Sequence, residues 1–157
     1  MHVDSQAFKD ALSRFASGVT VVTVAEGEEV LGITVSAFLS VSIDPPLVLV
    51  SIQRKARAHD VIERVGRFAV SILAAGQEKV SNHFAGWKDP NFTPELARPD
   101  MATPVVAGAL AWIDCAVHQA VEAGDHTLYI GRVERLSSHD GEPLIYWRGK
   151  YRSIAGG

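Results

Sequence analysis

Cysteine occurs once in the 157-residue chain, at Cys115, which excludes an internal disulfide and any thiolate zinc cluster. An excess of basic charge is missing too. Fifteen Lys and Arg against eighteen Asp and Glu leave a formal net charge of −3, and the cations are scattered apart from a short knot at Arg54, Lys55 and Arg57. That balance predicts neither a nucleic-acid nor an anionic-membrane partner. No stretch approaches the roughly 20 continuous apolar residues needed to span a bilayer. The start, Met1-His2-Val3-Asp4, lacks the basic-then-apolar pattern of an export signal, so the expected location is the cytoplasm. Four common catalytic signatures are also absent: Gly-x-Gly-x-x-Gly after a strand, Gly-x-x-x-x-Gly-Lys-Ser/Thr, His-Glu-x-x-His and Gly-x-Ser-x-Gly. Their absence removes the main support for Rossmann, P-loop, zincin and serine-hydrolase chemistry.

What the sequence does contain is a hydrophobic fraction of 47%, enough to build the core of one compact domain, expected over residues 1–157. Ala7, Phe8, Ala11, Leu12 and Phe15 recur at helical spacing behind Asp4-Ser5, and Gly18 reads as the stop. A Val- and Thr-rich strand from Gly18 to Ala25 and a turn at Glu26-Gly27-Glu28 lead into a second strand from Val30 to Ser40. Under a period of two, Leu31, Ile33, Val35, Ala37 and Leu39 fall on one apolar face. Gly32, Thr34, Ser36 and Ser40, interrupted by Phe38, fall on a small, hydroxyl-rich one. That second face suits either a polar ligand or an ordinary half-exposed strand.

Asp44-Pro45-Pro46 interrupts the ladder before a strand from Leu47 to Gln53, which carries Ser51 and Gln53 on the side of Leu47 and Leu49. Ala58, Val61, Ile62 and Val65 mark a short helix ended by Gly66. Phe68 to Leu73 returns to strand, Gln77 to Phe84 to helix, and Gly86 to Pro104 forms a long polar loop. Three further strands are expected: an alternating one around Ala111 to His118, one from His126 to Leu136 after the Gly124-Asp125 turn, and one from Leu144 to Trp147. Successive strands with tight turns and few short helices predict a mainly β protein, an antiparallel sheet closed into a split barrel.

Four local features, in this order, resemble the short-chain flavin reductases of the FMN-binding split-barrel superfamily. They are the strand Gly32-Ile33-Thr34-Val35-Ser36-Ala37-Phe38, the corner Asp44-Pro45-Pro46-Leu47, the loop Arg54-Lys55-Ala56-Arg57 and the turn Gly124-Asp125-His126, with Phe84-Ala85-Gly86 between the last two. The resemblance extends from Phe8 to about Tyr151. It implies hydride transfer from NADH or NADPH to FMN or FAD, a reaction in which the cofactors carry the chemistry and the protein binds, orients and excludes water. It further implies a homodimer with flavin sites at the two-fold interface, and a separate monooxygenase that receives the reduced flavin.

Residue by residue, the resemblance implies that backbone amides around Thr34, Val35, Ser36 and Ala37, with the Thr34 and Ser36 hydroxyls, meet the flavin. Ser51, Ile52 and Gln53 complete the slot. Arg54, Lys55 and Arg57 precede a helix that opens around Arg57 and Ala58, so that the flavin phosphate meets both guanidinium groups and the helix N-terminus; a basic loop on its own is usually only solvated. The look-alikes often carry Ser or Thr where Ala56 and Ala58 stand, which leaves FMN or FAD open. Phe84, Ala85 and Gly86 lie against the flavin, while Phe84 on its own suits core packing against Val80. Arg148 and Tyr151, with Tyr146, belong to a segment that closes over the nicotinamide, although the aromatics equally suit rim packing. His126 is the catalytic candidate, at the reactive edge to donate a hydrogen bond to the dinucleotide or to help protonate the reduced flavin, whereas its position alone suits a surface residue or turn cap. His2 and His139 read as surface, and nothing in the pattern assigns His59, His83 or His118. A flavin-binding electron carrier or storage protein is the alternative, and a split-barrel oxidase or deazaflavin reductase a third reading.

Overall fold

The computed structural model describes residues 2–154, so the extreme ends of the expected 1–157 unit lie outside the described residues. Asp4 caps α1 (Ser5–Leu12) by accepting from the Ala7 N–H at 2.9 Å, satisfying a donor that the first turn leaves free. The helix ends earlier than the Gly18 stop expected above. Ser13 closes its last turn locally, its hydroxyl donating to the Asp10 carbonyl at 2.8 Å, and Gly18 already belongs to β1 (Ser17–Gly18).

β2 (Thr20–Glu26) and β3 (Glu29–Val35) form the expected hairpin, with Glu26 opposite Glu29 and Thr20 opposite Val35. The second strand does not run on to Ser40. The chain turns at Ser36 and Ala37, where the Phe38 N–H donates to the Ser36 carbonyl at 2.9 Å, and resumes as β4 (Phe38–Ser42). Because strand side chains alternate, a turn of this kind exchanges the faces that later residues occupy. Phe38 packs on the core and Leu39 is exposed, the reverse of the expected alternation.

The chain continues through β5 (Leu47–Gln53), α2 (Arg57–Val65), β6 (Arg67–Ile72) and α3 (Glu78–Phe84). Gly66 ends α2 in the left-handed conformation, φ 71°, as C-terminal glycines commonly do. Next come β7 (Leu96–Ala97), β8 (Val105–Val106), β9 (Ala111–Ala123), β10 (His126–Ser138), β11 (Ile145–Trp147) and β12 (Lys150–Arg152). β7 pairs with β8, so the long polar stretch expected as loop is partly strand. Buried groups tether it: Thr23 donates to the Pro104 carbonyl at 2.6 Å, and Asp114 accepts from the Ala102 N–H at 2.9 Å while facing the Arg67 guanidinium at 3.3 Å.

Seven strands make one antiparallel sheet in the order β3-β2-β6-β9-β10-β5-β4. β2 is buried on both faces and reads accordingly as an almost continuous run, Thr-Val-Val-Thr-Val, with Thr20 satisfied by donating to the Val35 carbonyl at 2.6 Å. Its alternate residues feed two cores. Val22 and Val24 join Val50, Ile52, Ile62, Phe68 and Tyr129 beneath α2, while Val21, with Val19 just before the strand, joins Leu73, Val80, Val106 and Leu144 beneath α3. The sheet's two ends, β3 and β4, are consecutive in the chain. At the corner that joins them, the Ser51 N–H donates to the Ala37 carbonyl at 3.1 Å.

Candidate functional site

Between β3 and β5 lies a cleft of about 640 Å³, within the size range of small-molecule sites. Its back is β3, the end of the sheet, whose outward backbone groups have no neighbouring strand to pair with. The start of α2 and the end of α3 border the cleft. His126, the first residue of β10, borders it too, directly across from Gln53 in the ladder and close to the loop into α2, where the Arg54 N–H donates to the Asp125 carbonyl at 2.9 Å.

The cleft brings together Thr34, Val35, Ser36, Ala37, Ser51, Gln53, Arg57, Ala58, Phe84, Ala85, Gly86 and His126. Three expected residues are not among them. Ile52 points the other way, 1% exposed in the core between Ser51 and Gln53, as alternation along β5 requires. Arg148 and Tyr151 line a second hollow of about 490 Å³, which shares the Thr34, Ser36 and Ala85 wall with the first. Arg148 sits at the tip of the β11–β12 hairpin with φ 50°, its N–H donating to the Ser13 carbonyl at 3.0 Å. The Tyr151 hydroxyl lies 2.7 Å from Asn82 Oδ1 and 2.8 Å from Ser81 Oγ, so it braces α3.

The Thr34 hydroxyl, expected to face a ligand, is already committed. It donates to the Ser81 carbonyl at 2.6 Å and pins β3 to α3, which leaves the exposed Ser36 hydroxyl and the β3 backbone as the polar groups on that wall. Gly32 makes this packing possible, since a Cβ there would stand 2.5 Å from the Phe84 ring. Phe84 therefore serves both readings made of it, packing on the second core and bordering the cleft.

α2 begins at Ala56 without any side-chain cap, so its first N–H groups stay available to an anion. The Arg57 guanidinium is beside them and pairs with Glu29. His126 Nδ1 lies 2.7 Å from Asp125 Oδ1. That hydrogen bond is the main reason the Asp125 carboxyl sits below its ordinary pKa. An ionised carboxylate only accepts, so Nδ1 carries the proton of this bond and Nε2 is left for another partner. Gly124, φ 60°, supplies the left-handed turn residue that lets Asp125 and His126 follow one another at the start of β10.

Asp125 was read from sequence only as part of a turn, and Leu31, Ile33 and Ala56 were not placed in the cleft, although they line it. The adjacency of acid and imidazole in Gly124-Asp125-His126 was the available signal for the first. Among the described residues no group of three or more His, Cys, Asp or Glu side chains is placed to hold a metal ion, and no helix is long and apolar enough to cross a membrane.

Residues 12–155 match the family model described as the flavin reductase like domain. An NADH-dependent flavin reductase from Rhodococcus is 48% identical over 150 residues, spanning 93% of this chain and 84% of that one. The reductase component of 4-hydroxyphenylacetate 3-monooxygenase from Thermus thermophilus is 43% identical, over 95% and 96% of the two chains. Among solved structures, the flavin reductase PheA2 superposes with a TM-score of 0.93 at 40% identity, covering 98% of this chain and 99% of the other. A cleft at the end of an antiparallel sheet, joined to matches of this extent, leads to one assignment: the chain belongs to the flavin reductase-like family.

Proposed function

We propose that the protein is an NADH-dependent flavin reductase that reduces FMN or FAD in the cleft between β3 and β5 and delivers the reduced flavin to a separate monooxygenase. The observation that carries this reading is the set of groups that border one cleft: unpaired backbone on β3, an uncapped helix start with Arg57, and a carboxylate-held imidazole. A flavin has parts to match each, a flat ring edged with hydrogen-bonding atoms and a phosphate. Relatives named as NADH-dependent reductases and as monooxygenase reductase components support the same assignment.

When bound, the flavin supplies the two-electron acceptor and NADH supplies the hydride. The chain's own work is positional. Backbone N–H groups from Thr34 to Ala37 would hold the flavin's polar ring atoms, and Arg57, released from Glu29, would join the α2 N–H groups on the phosphate. Phe84, which borders the cleft, would exclude water from it. His126 holds or moves a proton at Nε2 while Asp125 fixes its ring through Nδ1. Arg148 and the Tyr151-braced wall of the adjoining hollow would receive the dinucleotide.

We further assign a homodimer. Leu39, Val41 and Ile43, along the edge strand β4 and just beyond it, are exposed at 52%, 44% and 95%, and an apolar sheet edge of this kind is normally covered. We also assign a cytoplasmic setting, which the buried, reduced thiol of Cys115 supports.

The test is to mix purified protein with FMN or FAD and NADH without oxygen and follow the visible absorbance of the oxidised flavin. Bleaching at a rate proportional to protein supports the reductase. Flavin that binds but stays oxidised overturns it in favour of a carrier, and failure to bind either flavin overturns the cleft assignment itself.

A further inference from the structure

Directly behind the cleft wall, α2 and β10 are joined by side-chain polar contacts that the proposed reaction does not use. His59 Nε2 lies 2.8 Å from Thr127 Oγ1, and His59 Nδ1 lies 3.2 Å from Asp60 Oδ1. Its ring centroid is 5.7 Å from that of Tyr129, whose hydroxyl donates to Glu63 Oε1 at 2.7 Å. Thr127 and Tyr129 are 2% and 1% exposed. Spacing explains the arrangement. Residues 59 and 63 share one face of a helix, and residues 127 and 129 share one face of a strand.

Each partner in the central hydrogen bond is the immediate neighbour of a cleft residue. His59 follows Ala58 at the helix start, and Thr127 follows His126, whose side chain takes the opposite face of β10. Ala58, Val61 and Ile62 already bury α2 in the core. Apolar packing of that kind holds a helix down but is non-directional and sets its position along the strand only loosely. A hydrogen bond is directional. We propose that His59 is a positioning residue: its bond to Thr127 fixes the start of α2 relative to His126, and with it both flavin affinity and the alignment of flavin with the hydride donor. The proposal rests on the reading of the cleft as a flavin site.

The test compares wild type with His59→Leu, Thr127→Val, the double variant and His59→Gln, measuring flavin Kd, kcat and KM for NADH, and Tm. Leu keeps the bulk against Tyr129 without the hydrogen bond, and Gln presents an amide at the reach of the lost Nε2. Each single variant should raise flavin Kd and lower kcat/KM by roughly threefold to tenfold, the scale of one part-buried hydrogen bond. Contacts that act as a unit are non-additive, so the double variant should be no worse than either single one, and His59→Gln should recover most of the loss. Unchanged Kd and kcat/KM in folded His59→Leu, even with a lower Tm, would overturn the proposal, as would single-variant effects that simply multiply. Should His59→Leu not fold, Thr127→Val carries the same comparison by deleting one hydroxyl. Wild-type protein that binds no flavin refutes the cleft assignment instead, which separates the two failures.

Discussion

The Asp125 carboxylate holds His126 Nδ1 at 2.7 Å and thereby leaves Nε2 as the imidazole nitrogen open to another partner. Removing the imidazole with His126→Ala should lower kcat/KM for NADH by about tenfold or more, the value of one charge-assisted hydrogen bond, while flavin Kd stays near wild type. Steady-state kinetics beside a flavin titration check both halves, and unchanged kinetics would remove His126 from the site. A second histidine carries a stability prediction. His83 Nδ1 is buried without a partner, and burial, assisted by Lys88, holds its pKa below the ordinary histidine value. Below about pH 6.5 the unfolded chain then binds more protons at this position than the folded one. Its contribution is fully present above the unfolded value and is lost as pH falls through the folded one. Plotted against pH, Tm should decline less steeply on the acid side for His83→Leu than for wild type. Parallel curves would show that His83 does not titrate with unfolding.

At the scale of elements, the decisive contact is α3 against β3. Thr34 is bonded to Ser81, Tyr151 to Asn82, and the Phe84 ring lies where a side chain at position 32 would otherwise stand. Gly32→Ala places a methyl 2.5 Å from that ring, so Phe84 must swing or α3 must lift. Overpacking of this type costs about 1–3 kcal/mol. Denaturant unfolding should show that loss, and because Phe84 also borders the cleft, flavin Kd should rise with it. Loss of stability without change in Kd would mean that α3 does not form the flavin wall. The strand reading was sound as far as Val35: Leu31, Ile33 and Val35 do face the core. It failed beyond the turn at Ser36 and Ala37, because a turn inside a Ser/Thr-rich run leaves no glycine or proline to announce it.

At the scale of the whole molecule, the sheet ends at β3 on one side and β4 on the other, and the cleft occupies the gap beside the corner between them. A second copy covering β4 would hide Ile43, 95% exposed in the isolated chain, and complete the wall around the cleft. Sedimentation should therefore give twice the 16.9 kDa protomer mass, and Ile43→Glu, which puts a charge into that contact, should shift the protein toward monomer. A wild-type monomer would rule the dimer out.

The amino-acid sequence by itself determined whatever depends on near neighbours. Alternation set the apolar face of β3, helical spacing set Val61 and Ile62 inward on α2, and Gly124-Asp125 placed a tight turn before β10. These signals are readable because backbone periodicity and turn preference are settled within a few residues. Only the tertiary structure decided that Thr34 gives its hydroxyl to Ser81, that Ile52 turns inward, and that Arg148 and Tyr151 line a neighbouring hollow. It alone brought residues 34, 57, 84 and 126 to one cleft. Those outcomes follow from which distant segments pack together, and packing is chosen by the burial of the whole core, a quantity that no single segment's pattern contains.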